Sequence, residues 1–231
     1  MRFVILSDTH MQHTKVRVPG GDVLIFCGDM CTTGTIGQAI KTSHFLNKLP
    51  HKHKIIVAGN HDFPFAQMDP HVIVPRGVSY LCDTSMRVRV PDTDILLKIH
   101  GMPWTPEFYN WAFMMPRNSE QMSRRVDEIP DNVDILITHG PPYGILDEAP
   151  TYIKREPIGM SHEGCMLLRD RVLKIQPKLH VFGHIHNRYG SVTINDVLFV
   201  NAALCDDQHV VMHNPVIVDY INGQMRVIEE E

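Results

Sequence analysis

Short, β-rich and largely apolar runs recur along the chain, each closed by glycine or polar residues: Phe3–Leu6, Val23–Phe26, Ile55–Val57, Ile95–Ile99, Ile135–Ile137 and His180–Phe182. Runs this short, with no polar alternation, predict strands buried on both faces. Between them lie helical periodicities over Thr35–Asn47, where Ile36, Ile40 and Leu46 share a face with Leu49 just beyond, then over Ser119–Glu128 and Met166–Ile175. Strands alternating with helices predict an α/β architecture. The last third departs from this pattern. Val192–Ile194 and Val197–Val200 flank Asn195-Asp196, and Val216–Tyr220 and Met225–Ile228 flank Asn222-Gly223, both suited to two-residue hairpin turns. A third hairpin is expected where Met86–Val90 meets Ile95–Ile99 across Pro91-Asp92-Thr93-Asp94. Together these predict a mixed system, two sheets packed face to face with helices outside.

No repeat, low-complexity tract or Gly/Ser linker divides the 231 residues, so a single domain over 1–231 is expected. Composition is that of a globular chain, with 43% hydrophobic and 21% charged residues. The formal net charge of −4 argues against a general affinity for nucleic acid or anionic membranes. No apolar run approaches the roughly 18 residues of a spanning helix, and the N-terminus turns acidic at Asp8, which predicts a cytoplasmic protein with no membrane partner. Five cysteines without a C-x-x-C pair suggest buried thiols rather than a disulfide framework. Histidine is abundant, at 15 residues, so their positions matter.

Five apolar runs end in metal-binding residue types. Phe3–Leu6 leads to Asp8-Thr9-His10, Val23–Phe26 to Gly28-Asp29, Ile55–Val57 to Gly59-Asn60-His61-Asp62, Ile135–Ile137 to His139-Gly140, and His180–Phe182 to Gly183-His184-Ile185-His186. The carboxyl ends of strands form the ligand crevice of open α/β sheets, so groups far apart in sequence can converge there. In extended backbone, residues i and i+2 point the same way, which lets Asp8 and His10 grip one ion and sets His184 beside His186. Mixed carboxylate and imidazole donors suit Mn, Fe, Zn or Co. Taken singly, each residue has a structural explanation: Asp8 or Asp29 as a cap, Asn60 in a turn, His139 as a hydrogen-bonded polar group. Five strand ends together are poorly explained that way.

In this order the motifs resemble the calcineurin-like metallophosphoesterases. Gly101-Met102-Pro103-Trp104-Thr105-Pro106, Trp111-Ala112-Phe113, Thr138-His139-Gly140-Pro141-Pro142 and Pro177 to Gly183 extend the likeness to the brain-type metallophosphoesterase-domain proteins, similar to class III cyclic nucleotide phosphodiesterases. The resemblance implies a four-layer αββα sandwich with two facing mixed sheets and a dimetal site at the strand C-terminal ends. It places one divalent ion among Asp8, His10, Asp29 and His186 and a second among Asp29, Asn60, His139 and His184, with Asp29 bridging and Mn²⁺ the expected metal. Relatives of this type are often dimers, so a homodimer is implied.

Two such ions clamp a phosphate and activate water for in-line attack. His61, next to Asn60 but outside the ligand set, is assigned protonation of the leaving group, with Asp62 orienting its imidazole. Trp104 and Trp111 are candidate stacking platforms for a nucleobase, and Arg117 and Arg188 candidate phosphate contacts. His51 and His53 read as a solvated turn, and His13, His44, His71, His162, His209 and His213 carry no motif. The expected activity is hydrolysis of small phosphodiesters, 2′,3′- or 3′,5′-cyclic nucleotides foremost. A protein phosphatase would carry Gly-Asp-x-x-Asp-Arg-Gly, whereas Met30-Cys31-Thr32-Thr33-Gly34 follows Asp29. A nuclease would be expected to carry a basic groove, and a non-enzymatic scaffold an impaired ligand set.

Overall fold

The computed structural model describes residues 1–153 and 156–228. Two six-stranded sheets dominate it. The first runs, edge to edge, Gln224–Ile228, Val216–Ile221, Arg2–Leu6, Val23–Phe26, His53–Ile56 and Ser79–Tyr80. The second runs Gly190–Ile194, Val197–Asn201, Leu179–Phe182, Ile135–Thr138, Leu96–Met102 and Thr84–Arg89. Their central strands are parallel. The three expected hairpins supply the antiparallel edges.

The period of two sorts the residues. Phe3, Ile5, Val23, Ile25, Ile55 and Val57 meet Leu97, Ile99, Ile135, Ile137, Leu179, Val181, Leu198 and Val200 in the core between the sheets. The alternate residues face outward under helices. Val4, Leu6, Leu24, Phe26 and Ile56 pack with Ala39 and Leu46 of helix Ile36–Lys48 and Phe65 of helix Phe63–Gln67. Leu136, Phe182 and Phe199 pack with Met122 and Val126 of helix Glu120–Asp127 and Leu168 and Val172 of helix Met166–Ile175. Both faces of the central strands are thus buried, which is why they read as largely apolar runs. No helix among the described residues is long and apolar enough to cross a membrane.

Two expectations need correction. His51 is buried, and His53 opens a strand paired in register with Val23, its amide donating to Asp22 O at 3.2 Å. The flanking lysines point the reading toward a solvated turn, but parallel pairing draws the segment into the sheet. The hairpin Glu148–Ile153 with Glu156–His162 was not anticipated, because Pro150 and Pro157 argue against a strand and the pairing shifts register between Thr151 and Tyr152. A two-stranded ribbon tolerates proline because each strand has an open edge.

Candidate metal centre

The strand ends turn abruptly. Asp8, His10, Asp29 and His184 adopt left-handed backbone, with φ of 52°, 41°, 58° and 69°, a conformation unusual for residues other than glycine and concentrated at functional sites. Neighbouring loops must then pass very close. A Cβ at Gly59 would overlap the Asp29 carboxylate, and one at Gly183 would overlap Asp8, so both positions exclude a side chain.

Two donor groups result. In the first, Asp8 Oδ1 lies 3.3 Å from His186 Nε2, which is 3.2 Å from His10 Nε2. In the second, His139 Nε2 lies 2.9 Å from Asn60 Oδ1 and 3.5 Å from Asp29 Oδ1, with the His184 ring 4.9 Å from that of His139. Asp29 spans the two, because its Oδ2 is 3.9 Å from His10 Nε2. All seven residues expected to hold metal are therefore brought together.

One loop aims three of the imidazoles. His139 Nδ1 donates to Cys27 O at 2.8 Å, His10 Nδ1 to Cys31 O at 3.1 Å, and His61 Nδ1 to Thr32 O at 2.8 Å. Each bond fixes the tautomer and leaves the Nε2 lone pair facing the centre. In the neutral ring the His139 lone pair then faces Asn60 Oδ1 and Asp29 Oδ1, three acceptors that converge only around a proton or a cation. Such a donor set fits a cation.

The electrostatics agree. Burial opposes ionisation of Asp8, yet His186 and His139 bring it down to about 2. Burial likewise opposes ionisation of Asp29, but His139 holds it well below the usual carboxylate range. Burial alone would lower His139 and His186; Asp29 and Asp8 respectively push them up to about 9. Burial takes His10 down to about 4 and His184 to about 3. The carboxylates thus demand positive charge between them, which divalent ions on neutral imidazoles supply.

His61 borders both groups without completing either. Its Nε2 is 3.9 Å from Asp29 Oδ2, and its amide donates to Asp29 Oδ1 at 2.8 Å. Asp62 does not touch the imidazole, contrary to expectation. Its buried carboxylate accepts the amides of Cys31 and Gly59 at 2.9 Å each and of Met30 at 3.3 Å, bracing the loops that carry Asp29 and Asn60. Thr32 O orients His61 instead. Asp62→Ala would orphan these buried amides at ~1–3 kcal/mol each. Summed over three amides this is ~3–9 kcal/mol, so thermal unfolding should show Tm lower by about 6 °C or more; an unchanged Tm would contradict the bracing role.

The remaining candidates divide. The Trp111 ring stands edge-on to His61 with centroids 4.5 Å apart and is stacked with Tyr109 at 5.7 Å, while Phe108 reaches His184 at 5.4 Å. Trp104 is no platform. Its Nε1 donates to Asp83 at 2.8 Å, Arg125 lies over its ring, and it packs on Phe113. Arg117 binds Gly164 O, Glu163 O and the Glu163 carboxylate, and Arg188 pairs with Glu148, so neither guanidinium is placed on the donor groups by a contact. Sequence reasoning missed His209, whose ring stacks on His10. It follows strand Val197–Asn201 in the same sheet, and the strand-end rule applied there would have drawn attention to it.

The family model for calcineurin-like phosphoesterases matches residues 1–188. The human metallophosphoesterase domain-containing protein 1 is 34% identical over 94% of this chain and 70% of its own length. A Caenorhabditis elegans UPF0046 protein is also 34% identical, over 95% of this chain and 80% of its own. The solved structure of the phosphopantetheinyl hydrolase from Mycobacterium tuberculosis superposes with a TM-score of 0.56 at 16% identity, covering 90% of each chain, a likeness of fold alone.

Proposed function

Because the chain belongs to the calcineurin-like metallophosphoesterases and is a phosphoesterase hydrolase, we propose that it cleaves small phosphodiesters, 2′,3′- or 3′,5′-cyclic nucleotides foremost. Asp8, His10, Asp29 and His186 would hold one divalent ion and Asp29, Asn60, His139 and His184 the other, Mn²⁺ suiting the donors best, with Fe, Zn or Co also compatible. Bound there, two ions supply Lewis-acid polarisation of the phosphate and an activated water. His61 acts in its doubly protonated form, giving the Nε2 proton to the leaving alkoxide and returning to the neutral tautomer whose Nδ1–H stays on Thr32 O, so the ring keeps its orientation through the transfer. Trp111, exposed beside His61, receives the base or other organic substituent on its π-face.

The observation that carries the diester reading is the engagement of both candidate guanidinium groups elsewhere. A phosphomonoester brings about one more negative charge than a diester at neutral pH, and Arg117 and Arg188 are committed to Glu163 and Glu148. What stands near the donor groups instead is aromatic: Phe108, 46% exposed, against His184, and Trp111, 36%, against His61, with Tyr109, 63%, stacked on Trp111. These suit a second ester substituent. With Mn²⁺, kcat/KM should be higher for bis-p-nitrophenyl phosphate than for p-nitrophenyl phosphate, and cyclic nucleotides should yield monoesters that are not degraded further. A clear preference for the monoester would overturn the diester assignment.

A further inference from the structure

The turn after strand Val197–Asn201 carries a group that no motif announces. His209 is half-buried, its ring stacked on His10 with centroids 3.9 Å apart and planes 8° from parallel. Nitrogens of His10, His61 and His209 lie within 4.8 Å of one another. The backbone at His209 is left-handed, φ 58°, and its surroundings enforce that. Asp206 Oδ1 accepts the amides of Gln208 and Val210, each at 2.9 Å. The His209 amide donates to Asp206 O at 2.9 Å, and the Asp206 amide to Val210 O at 2.9 Å. Asp207, in the same turn, lies 3.5 Å from His186 Nδ1. The turn is thus fastened to the metal centre at two points, and His209 is preorganised.

Stacking decides what His209 can do. The lone pair and the N–H of an imidazole both lie in the ring plane. An ion held in the plane of His10 stands outside the parallel plane of His209, so the two rings cannot share it. A separate ion among His10, His61 and His209 would require His10 Nε2 to abandon the group where it already meets His186 at 3.2 Å. What His209 can reach is a ligand lying beside that group, next to His61.

We propose that His209 donates a hydrogen bond to a non-bridging phosphoryl oxygen of the substrate, and so is a further substrate-binding residue of this hydrolase. The proposal rests on the phosphoesterase reading of the site. It requires one N–H of a neutral ring, and therefore no change of charge during turnover. It also supplies, on the His10 and His61 side, a donor where Arg117 and Arg188 are engaged elsewhere.

Inorganic phosphate is the probe, with His209→Ala and His209→Asn as variants; asparagine keeps an amide donor and tolerates left-handed backbone. On Mn²⁺-loaded protein, elemental analysis should find two ions per chain in both variants. Calorimetry should show phosphate affinity weakened about 10- to 100-fold in His209→Ala, as expected for a hydrogen bond to a charged acceptor, and largely restored in His209→Asn. The loss in kcat/KM should be equal for esters with good and poor leaving groups. An ion lost from His209→Ala would make the residue a metal ligand and overturn the proposal. So would unchanged phosphate affinity with both ions in place. A wild-type preference for the monoester would defeat the diester reading alone, since the phosphate titration decides His209 separately.

Discussion

Asp29→Ala should lose metal from both halves of the centre and fall to the activity of the metal-free protein. Asp29 Oδ1 lies 3.5 Å from His139 Nε2 while Oδ2 lies 3.9 Å from His10 Nε2, so one carboxylate faces both donor groups. Only Asp8 and Asp29 bring formal negative charge to those groups among the described residues. Removing one leaves two divalent ions balanced by a single carboxylate. Each ion contributes several kcal/mol of transition-state stabilisation, so the rate should drop by about 10⁴-fold or more. Asp29→Asn is the control, since it keeps the shape and tolerates φ 58° while removing the charge. It should retain more metal than the alanine variant and less than the wild type. Two ions per chain in Asp29→Ala, by elemental analysis, would contradict the bridging role.

The fold was legible wherever burial is symmetric. Val23–Phe26 and Met166–Ile175 have the bounds their apolar patterns predict, because sheet core and helix layer both demand side chains there. Hairpin turns at Asn195-Asp196 and Asn222-Gly223 were readable because those residues adopt the positive φ such turns require. Legibility failed where partners are remote. His53 looks solvated beside Lys52 and Lys54 until Val23 pairs with it. In the ribbon of Glu148–Ile153 with Glu156–His162 none of the described side chains is buried, so there is no inward face on which to build an alternating pattern, and its prolines counted against it.

The donor groups were equally legible, because strand-end position and residue type converge on one spot. The positions of Asp62, Trp104, Arg117 and Arg188 were not, since each is set by a partner that local pattern does not disclose. Arg117 finds Glu163, Arg188 finds Glu148 and Trp104 finds Asp83, each across a long stretch of chain. Asp62 follows His61 in sequence yet turns to the amides of Met30, Cys31 and Gly59. Adjacency suggested a carboxylate–imidazole pair; backbone donors left unpaired by tight strand-end turns claimed the carboxylate first.

His61→Ala should keep both ions and still slow hydrolysis by about 10²- to 10⁴-fold, the usual contribution of general acid–base catalysis. The ring is anchored through Nδ1 on Thr32 O and flanked by Trp111, while its Nε2 faces the site from 3.9 Å off Asp29 Oδ2. That places a proton donor at the centre without making it one of the seven residues that form the two donor groups. Its removal should therefore cost the departing alkoxide its proton and leave the metals in place. An alkyl ester, whose alkoxide is strongly basic, should show the whole loss. A nitrophenyl ester, whose leaving group departs as a stable anion, should show much less. The two losses must be measured on the same metal-loaded variant, because a poorly loaded enzyme slows every ester alike. If the variant carries two ions and is equally impaired on both esters, His61 holds or orients the phosphate and the leaving-group proton comes from elsewhere.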